Sequence, residues 1–141
     1  MRNNSSGQSM YEIILSILFV SLTFVAIVNL VIASVRNSTF SKDKTIADSE
    51  ALQAEEWLRS QKDSDWAVFL AKTGSGTSTY CLDTLAWPAS AAPCVDRTEG
   101  REVNLTKVSD FKVNSQVKVY WTDPKGYHEV TRTTDYSNVS F

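Results

Sequence analysis

The sequence predicts an α+β protein: one long N-terminal α-helix followed by a small antiparallel β-meander. Three observations carry this. From Ile13 to Val35 the chain has no Lys, Arg, Asp or Glu. From Phe40 to Gln61 it has no Gly or Pro, and Ala47, Ala51, Ala54 and Leu58 recur at three- and four-residue spacing, the mark of one apolar helix face. Toward the C-terminus, Val113, Val117, Val119 and Trp121 share one face at period two, the mark of a half-buried strand. One amphipathic helix and one half-buried sheet must cover each other.

The apolar run is roughly 23 residues long, or roughly 34 Å as a helix, enough to span a bilayer. The outer part of the helix is expected to continue to about residue 62, laying its Ala stripe on the sheet while Lys44, Asp48, Glu50, Glu55 and Arg59 lie elsewhere around it. Asn37-Ser38-Thr39 favour caps over helix interiors, so one continuous helix and two helices with a break there both remain open. Asp63-Ser64-Asp65 reads as the end of this helix and the cap of a short second one, Trp66 to Lys72, stopped by Gly74-Ser75-Gly76. Strands are expected over Thr77–Leu82, Val103–Val108 and Val113–Thr122. Asp123-Pro124-Lys125-Gly126 is a turn signal, and Tyr127–Thr134 returns as the hairpin partner.

At 141 residues the chain has room for one long helix and one small head. Its net charge of −2 lacks the electrostatic footprint of a nucleic-acid binder. Cys81 and Cys94, in an oxidising compartment, most simply form one disulfide around an irregular loop holding Trp87-Pro88 and Ala91-Ala92-Pro93. Free thiols are the alternative, and a metal site is a weaker one, because two Cys and one distant His do not make a zinc centre. His128, the one histidine, falls on the last hairpin beside Glu129 without a nucleophile partner, so no catalytic constellation emerges and no enzymatic activity is expected. The acidic residues Asp63, Asp65, Asp83, Asp96, Asp110, Asp123 and Asp135 are scattered and do not form a calcium loop. Gly74-Ser75-Gly76 lacks the Lys-Ser/Thr of a phosphate loop, and no cofactor is implied. Most of the Trp and Tyr side chains are expected in the core or in helix–sheet packing; Trp87, in the Cys loop, and Tyr127, next to a turn, have exposed partner contact as the alternative.

The start of the chain reads Gly7-Gln8-Ser9-Met10-Tyr11-Glu12-Ile13 after a short polar stretch. It resembles the prepilin family, the type IV pilins and the pseudopilins of type II secretion, over Ser6 to about Arg59. The resemblance implies a leader over residues 1–7, a membrane and filament-core helix over 8–36, and a pilin-like head outside the cytoplasm over 37–141. It further implies cleavage after Gly7 by a prepilin peptidase, methylation of Gln8, and Glu12 as the fifth mature residue setting register. Asn29 stands where major pilins commonly carry Pro, which favours a minor pilin or pseudopilin. The implied partners are other pilin subunits through the N-terminal helix, the inner-membrane assembly platform, and membrane lipid before assembly. The chain would sit in the cytoplasmic membrane first and in a surface or periplasmic filament afterwards. Against this, Arg36, Lys42 and Lys44 follow the apolar run while only Arg2 precedes it; the positive-inside rule alone would retain that side in the cytoplasm. The alternative from another class is a permanently membrane-anchored extracytoplasmic binding module that does not polymerise.

Overall fold

The computed structural model describes the backbone of residues 6–94 and 98–138, with side chains from Met10 onward in those ranges. Helix α1 spans Ser6–Ser64 and α2 Trp66–Ala71; strands β1 Thr77–Cys81, β2 Glu99–Ser109, β3 Lys112–Asp123 and β4 Gly126–Ser137 follow. The chain divides into two compact units, Met1–Lys42 and Asp43–Phe141.

Helix α1 passes through Asn37-Ser38-Thr39 without interruption. Thr39 does not cap: its hydroxyl donates back to the Val35 carbonyl at 3.1 Å, which satisfies the side chain within the helix. The two-helix alternative is therefore set aside. At the other end Asp65 leaves the helical conformation, and its carboxylate accepts from the Val68 N–H at 3.0 Å. That is the expected cap of α2. Gly74, at φ +59°, turns the chain out of this helix, a conformation open to glycine at little cost.

In the second unit the four strands form one antiparallel sheet in sequence order. Its inner face carries Val103 and Leu105 from β2, Val113, Val117 and Val119 from β3, and Val130 and Tyr136 from β4, all buried. Val103 pairs with Val117, Val119 with Val130, and Val113 with Tyr136. These form a contiguous core with Ala47, Ala51, Ala54 and Leu58 of α1, Phe69 of α2, Tyr80 and Leu82. Alanine at the contact is fully or nearly fully buried, so the short side chains set the room between helix and sheet. Asp123-Pro124-Lys125-Gly126 makes the β3–β4 turn, with the Asp123 carboxylate accepting from the N–H groups of Lys125 and Gly126 at 2.7 and 3.1 Å.

Strands β2 and β4 are longer than the pattern predicts. The expected start at Val103 missed Glu99–Glu102, because Arg101 occupies an inward position and hides the alternation. The expected end at Thr134 missed Tyr136, whose ring is buried and whose hydroxyl donates to the Glu55 carbonyl at 2.9 Å. On the opposite face Gly100 pairs directly with Tyr120. A Cβ there would lie 2.6 Å from the tyrosine oxygen, so the missing side chain lets the ring cover the strand.

Because Ala51 is fully buried, Ala51→Leu should overpack the helix–sheet seam and lower head stability by about 2 kcal/mol. Thermal unfolding of the detergent-solubilised chain, followed by near-ultraviolet circular dichroism, measures it; an unchanged midpoint would refute the spacer role.

Candidate assembly surface

Helix α1 presents an uninterrupted apolar surface in its first unit. Every Met, Ile, Leu, Val, Phe and Tyr from Met10 to Val35 is between 39% and 70% exposed. The helix is long and apolar enough to cross a membrane. Three of its hydroxyls are satisfied within the helix: Ser16 donates to the Glu12 carbonyl at 2.8 Å, Ser21 to Ile17 at 2.7 Å and Thr23 to Phe19 at 2.8 Å. No hydroxyl hydrogen on these three residues therefore needs a water partner, which suits an apolar surrounding. Glu12 is the acidic side chain at the head of this surface and is exposed. Gly7 and Gln8 lie in the helix, but their side chains fall outside the described residues, as does Asp96.

The head is held to α1 by two polar clamps, neither anticipated from the sequence. Arg101 is 8% exposed on the inner face of β2. Its Nε donates to the Leu82 carbonyl at 2.8 Å, Nη1 to the Glu50 carbonyl at 3.1 Å and Nη2 to the Asp83 carbonyl at 3.3 Å. One guanidinium thus ties strand, helix and the start of the Cys loop. Burial pushes its pKa down, and the nearby Glu50 charge partly offsets this. Glu55 is the second clamp. Its carboxylate accepts from Arg132 Nε at 2.8 Å and from the Thr134 hydroxyl, while its carbonyl takes the Tyr136 hydroxyl. Three inward positions of β4 therefore converge on one helical residue. The signal available in sequence was weak: Arg101, Arg132 and Thr134 each sit two residues from an inward apolar position.

Cys81 and Cys94 are joined in a disulfide. The Cys94 N–H also donates to the Glu102 carboxylate at 2.8 Å, and Ala92 bridges Tyr80 beside the edge strand β1. Cys81, Asp83 and Cys94 bring ligand-type atoms within 4.8 Å of one another, but both sulfurs are spent in the disulfide, leaving one carboxylate. The loop folds inward, which decides between packing and exposed contact for Trp87. Its ring lies 4.9 Å from Trp57 and 5.2 Å from Tyr80, and its Nε1 donates to Gln61 at 3.0 Å. The indole is a core cover, not an exposed contact. Tyr127 is 57% exposed and stacks on Tyr120 at 5.9 Å. His128 is half-buried: its ring lies 5.4 Å from Trp121 and its Nε2 lies 2.9 Å from the Asp123 carboxylate. Desolvation works against ionised Asp123, but the hydrogen bonds from His128 and the turn N–H groups outweigh it and hold the carboxyl below its usual range.

A cleft of about 660 Å³ opens between α1 and the end of the sheet where β2 begins and β3 finishes. Ile46, Ala47 and Trp121 line it, and Asp43, Glu50, Asp83, Glu99 and Asp123 stand around it.

Comparison with protein-family models, with curated proteins and with solved structures yields no match.

Arg101→Leu strands three carbonyls in a low-dielectric setting and should cost about 3 kcal/mol of head stability, read in urea unfolding monitored by tryptophan fluorescence; wild-type stability would show the clamp to be dispensable. Burial, and then the charge of Glu55, push the Tyr136 hydroxyl up to about 12 from 10.0. The folded state thus binds this proton more tightly than the unfolded chain, so its contribution is complete below pH 10 and lost as pH rises through about 12. Tyr136→Phe should flatten stability over that window relative to wild type, and an identical alkaline profile would rule the assignment out. Tyr127, also raised to about 12, stays in both proteins as the internal control.

Proposed function

We propose that this chain is a filament subunit of the type IV pilin or pseudopilin kind, with minor-pilin character, processed after Gly7 and assembled through α1. The observation that carries the reading is the exposed apolar surface from Met10 to Val35 with one carboxylate, Glu12, at its head. An apolar face of this extent needs a cover. Lipid supplies it before assembly, and neighbouring copies of the same helix supply it afterwards. The same Ile, Leu, Val and Phe side chains serve both states, so moving from bilayer to filament exchanges one apolar partner for another. Ser16, Ser21, Thr23 and Ala26 allow close helix approach. The head then stands outside the cytoplasm and decides which subunits it touches.

Glu12 supplies the register in this reading. A carboxylate within a bilayer costs roughly 2.5–3.5 kcal/mol at a helix centre on insertion scales, and less at a helix start, where the side chain reaches the interface. Cleavage after Gly7 frees an α-amine at Gln8, positive near neutral pH. Glu12 of one copy neutralising the amine of the next leaves neither charge unpaired, and a register slip leaves both unpaired. Continuous apolar faces slide past one another; a charge pair stops the slide at one axial position.

Glu12→Ala should insert into the membrane normally and reduce sheared filament by at least ~10-fold, equivalent to about 1.4 kcal/mol per contact. Immunoblots of the sheared and membrane fractions give the ratio. Wild-type filament yield from that variant would refute the register role and favour the permanently anchored module, which makes no use of Glu12. Intact-mass spectrometry of membrane-derived protein supplies the companion readout: a chain beginning at methylated Gln8.

A further inference from the structure

The sheet has a second face, opposite the one that the Ala stripe of α1 covers. Strand register arranges its side chains in rows, and Thr79, Asn104, Gln116 and Thr133 form one row across all four strands. Cross-strand hydrogen bonds join it: the Thr79 hydroxyl donates to Asn104 Oδ1 at 2.6 Å, and Asn104 Nδ2 donates to Gln116 Oε1 at 3.4 Å. Gln116 enters this chain as an acceptor, which leaves its two N–H groups as donors. The lysines of this face are paired with carboxylates: Lys118 lies 3.8 Å from Glu129, and Lys112 2.8 Å from Asp135. One aromatic pair interrupts the polar surface. The Tyr120 ring lies over Gly100, so near that a Cβ there would meet the tyrosine oxygen. Tyr127 stacks on Tyr120 with ring planes 26° apart. Tyr120 is 8% exposed and Tyr127 57%, so Tyr127 is the outer layer, with one ring face on Tyr120 and the other toward solvent. Its hydroxyl donates to Glu129 Oε2 at 2.9 Å. With Lys118 holding Glu129 in turn, the ring is fixed before any ligand arrives.

We propose that Tyr127 and the Asn104–Gln116 row form a binding site for a neutral saccharide. A pyranose ring has an apolar C–H face and a rim of hydroxyl groups. The C–H face stacks on the exposed face of Tyr127, a large and rigid contact. The hydroxyl rim meets side-chain amides and threonine hydroxyls, which donate and accept as sugar hydroxyls do. Tyr120 and Gln116 are four positions apart on β3, roughly 13 Å at ~3.4 Å per residue, so ring and amide engage successive units of one oligosaccharide. Charge decides against other ligands. With Lys118 and Lys112 paired, the face offers no cation excess to a phosphate backbone. The rows beside the Tyr pair hold Glu102, Lys118 and Thr131, then Asn104, Gln116 and Thr133, with no aliphatic side chain to build the apolar centre of a protein interface. The site lies wholly within the Asp43–Phe141 unit and stands independently of the filament reading.

The test is retention of the full-length chain, in a sugar-free detergent, on immobilised cellulose, chitin, galactan and mannan, with dextran sulfate as the charged control. Retention on at least one neutral polymer, competed by its soluble oligosaccharide, is the expected result. Tyr127→Ala should weaken it at least ~10-fold, while Tyr127→Phe, which keeps the ring, should lose no more than ~3-fold. Gln116→Leu, which keeps the size and removes the amide, should weaken it at least ~3-fold. Both positions lie outside the buried core, and urea unfolding of each variant separates loss of binding from loss of fold. Retention on none of the neutral polymers, retention on dextran sulfate alone, or unchanged retention of Tyr127→Ala would overturn the proposal. A loss with Tyr127→Phe as large as with Tyr127→Ala would place the contact at the hydroxyl and overturn it too. Sheared filament lost in Tyr127→Ala with saccharide retention unchanged would give the face to a neighbouring subunit, again overturning it. Saccharide retention by a chain that is never processed after Gly7 would uphold this site while removing the filament reading.

Discussion

The head depends on one constraint: the inner face of a four-stranded sheet must be covered, and the Ala face of α1 covers it. Val103, Leu105, Val113, Val117, Val119 and Val130 make a smooth surface of branched side chains. Ala47, Ala51, Ala54 and Leu58 of the helix are buried in the same core. Apolar burial at about 25 cal/mol per Å² supplies the drive, but such a force has no direction and tolerates sliding of a smooth helix along a smooth sheet.

Polar groups remove that freedom. Arg101 reaches up from β2 to backbone carbonyls of α1 and of the Cys loop, and Glu55 reaches down from α1 to three side chains of β4. Each clamp would be costly if half made, since a buried donor or acceptor without its partner forfeits its hydration. Register errors of one residue are therefore penalised even where the apolar contact would accept them. The Cys81–Cys94 disulfide and the Trp87 ring do the same at the edge of the sheet: they hold an irregular loop across the end of the core, and Ala92 lies beside the edge strand that would otherwise stand open.

The same logic reappears in the proposed assembly. In the first unit, the surface from Met10 to Val35 supplies extensive apolar contact without position. Glu12 would supply position, because a charge is tolerated in apolar surroundings only opposite its counter-charge. Both fold and filament would then divide labour alike, with apolar area supplying affinity and a few polar groups supplying register.

Elements with a clean period were legible in the sequence by itself. The apolar run, the Ala stripe, the Asp65 cap, the Asp123–Gly126 turn and the Val113–Trp121 alternation all appear where local pattern put them, because helix and strand periodicity act between residues close in the chain. Gly7, Gln8 and Glu12 were singled out by a local motif, and their roles belong to the proposed filament reading. What tertiary structure alone decided lies at positions whose partners are far away in sequence. Arg101 looked like a break in β2 until its acceptors at Glu50, Leu82 and Asp83 came into reach. Glu55 looked like one more solvated helix charge until Arg132, Thr134 and Tyr136 met it from nearly eighty residues away. Trp87 turned inward because Trp57, Tyr80 and Gln61 offered both an apolar wall and an acceptor. The burial of a polar side chain depends on whether its partners arrive, and that is a property of the folded chain rather than of any window of its sequence.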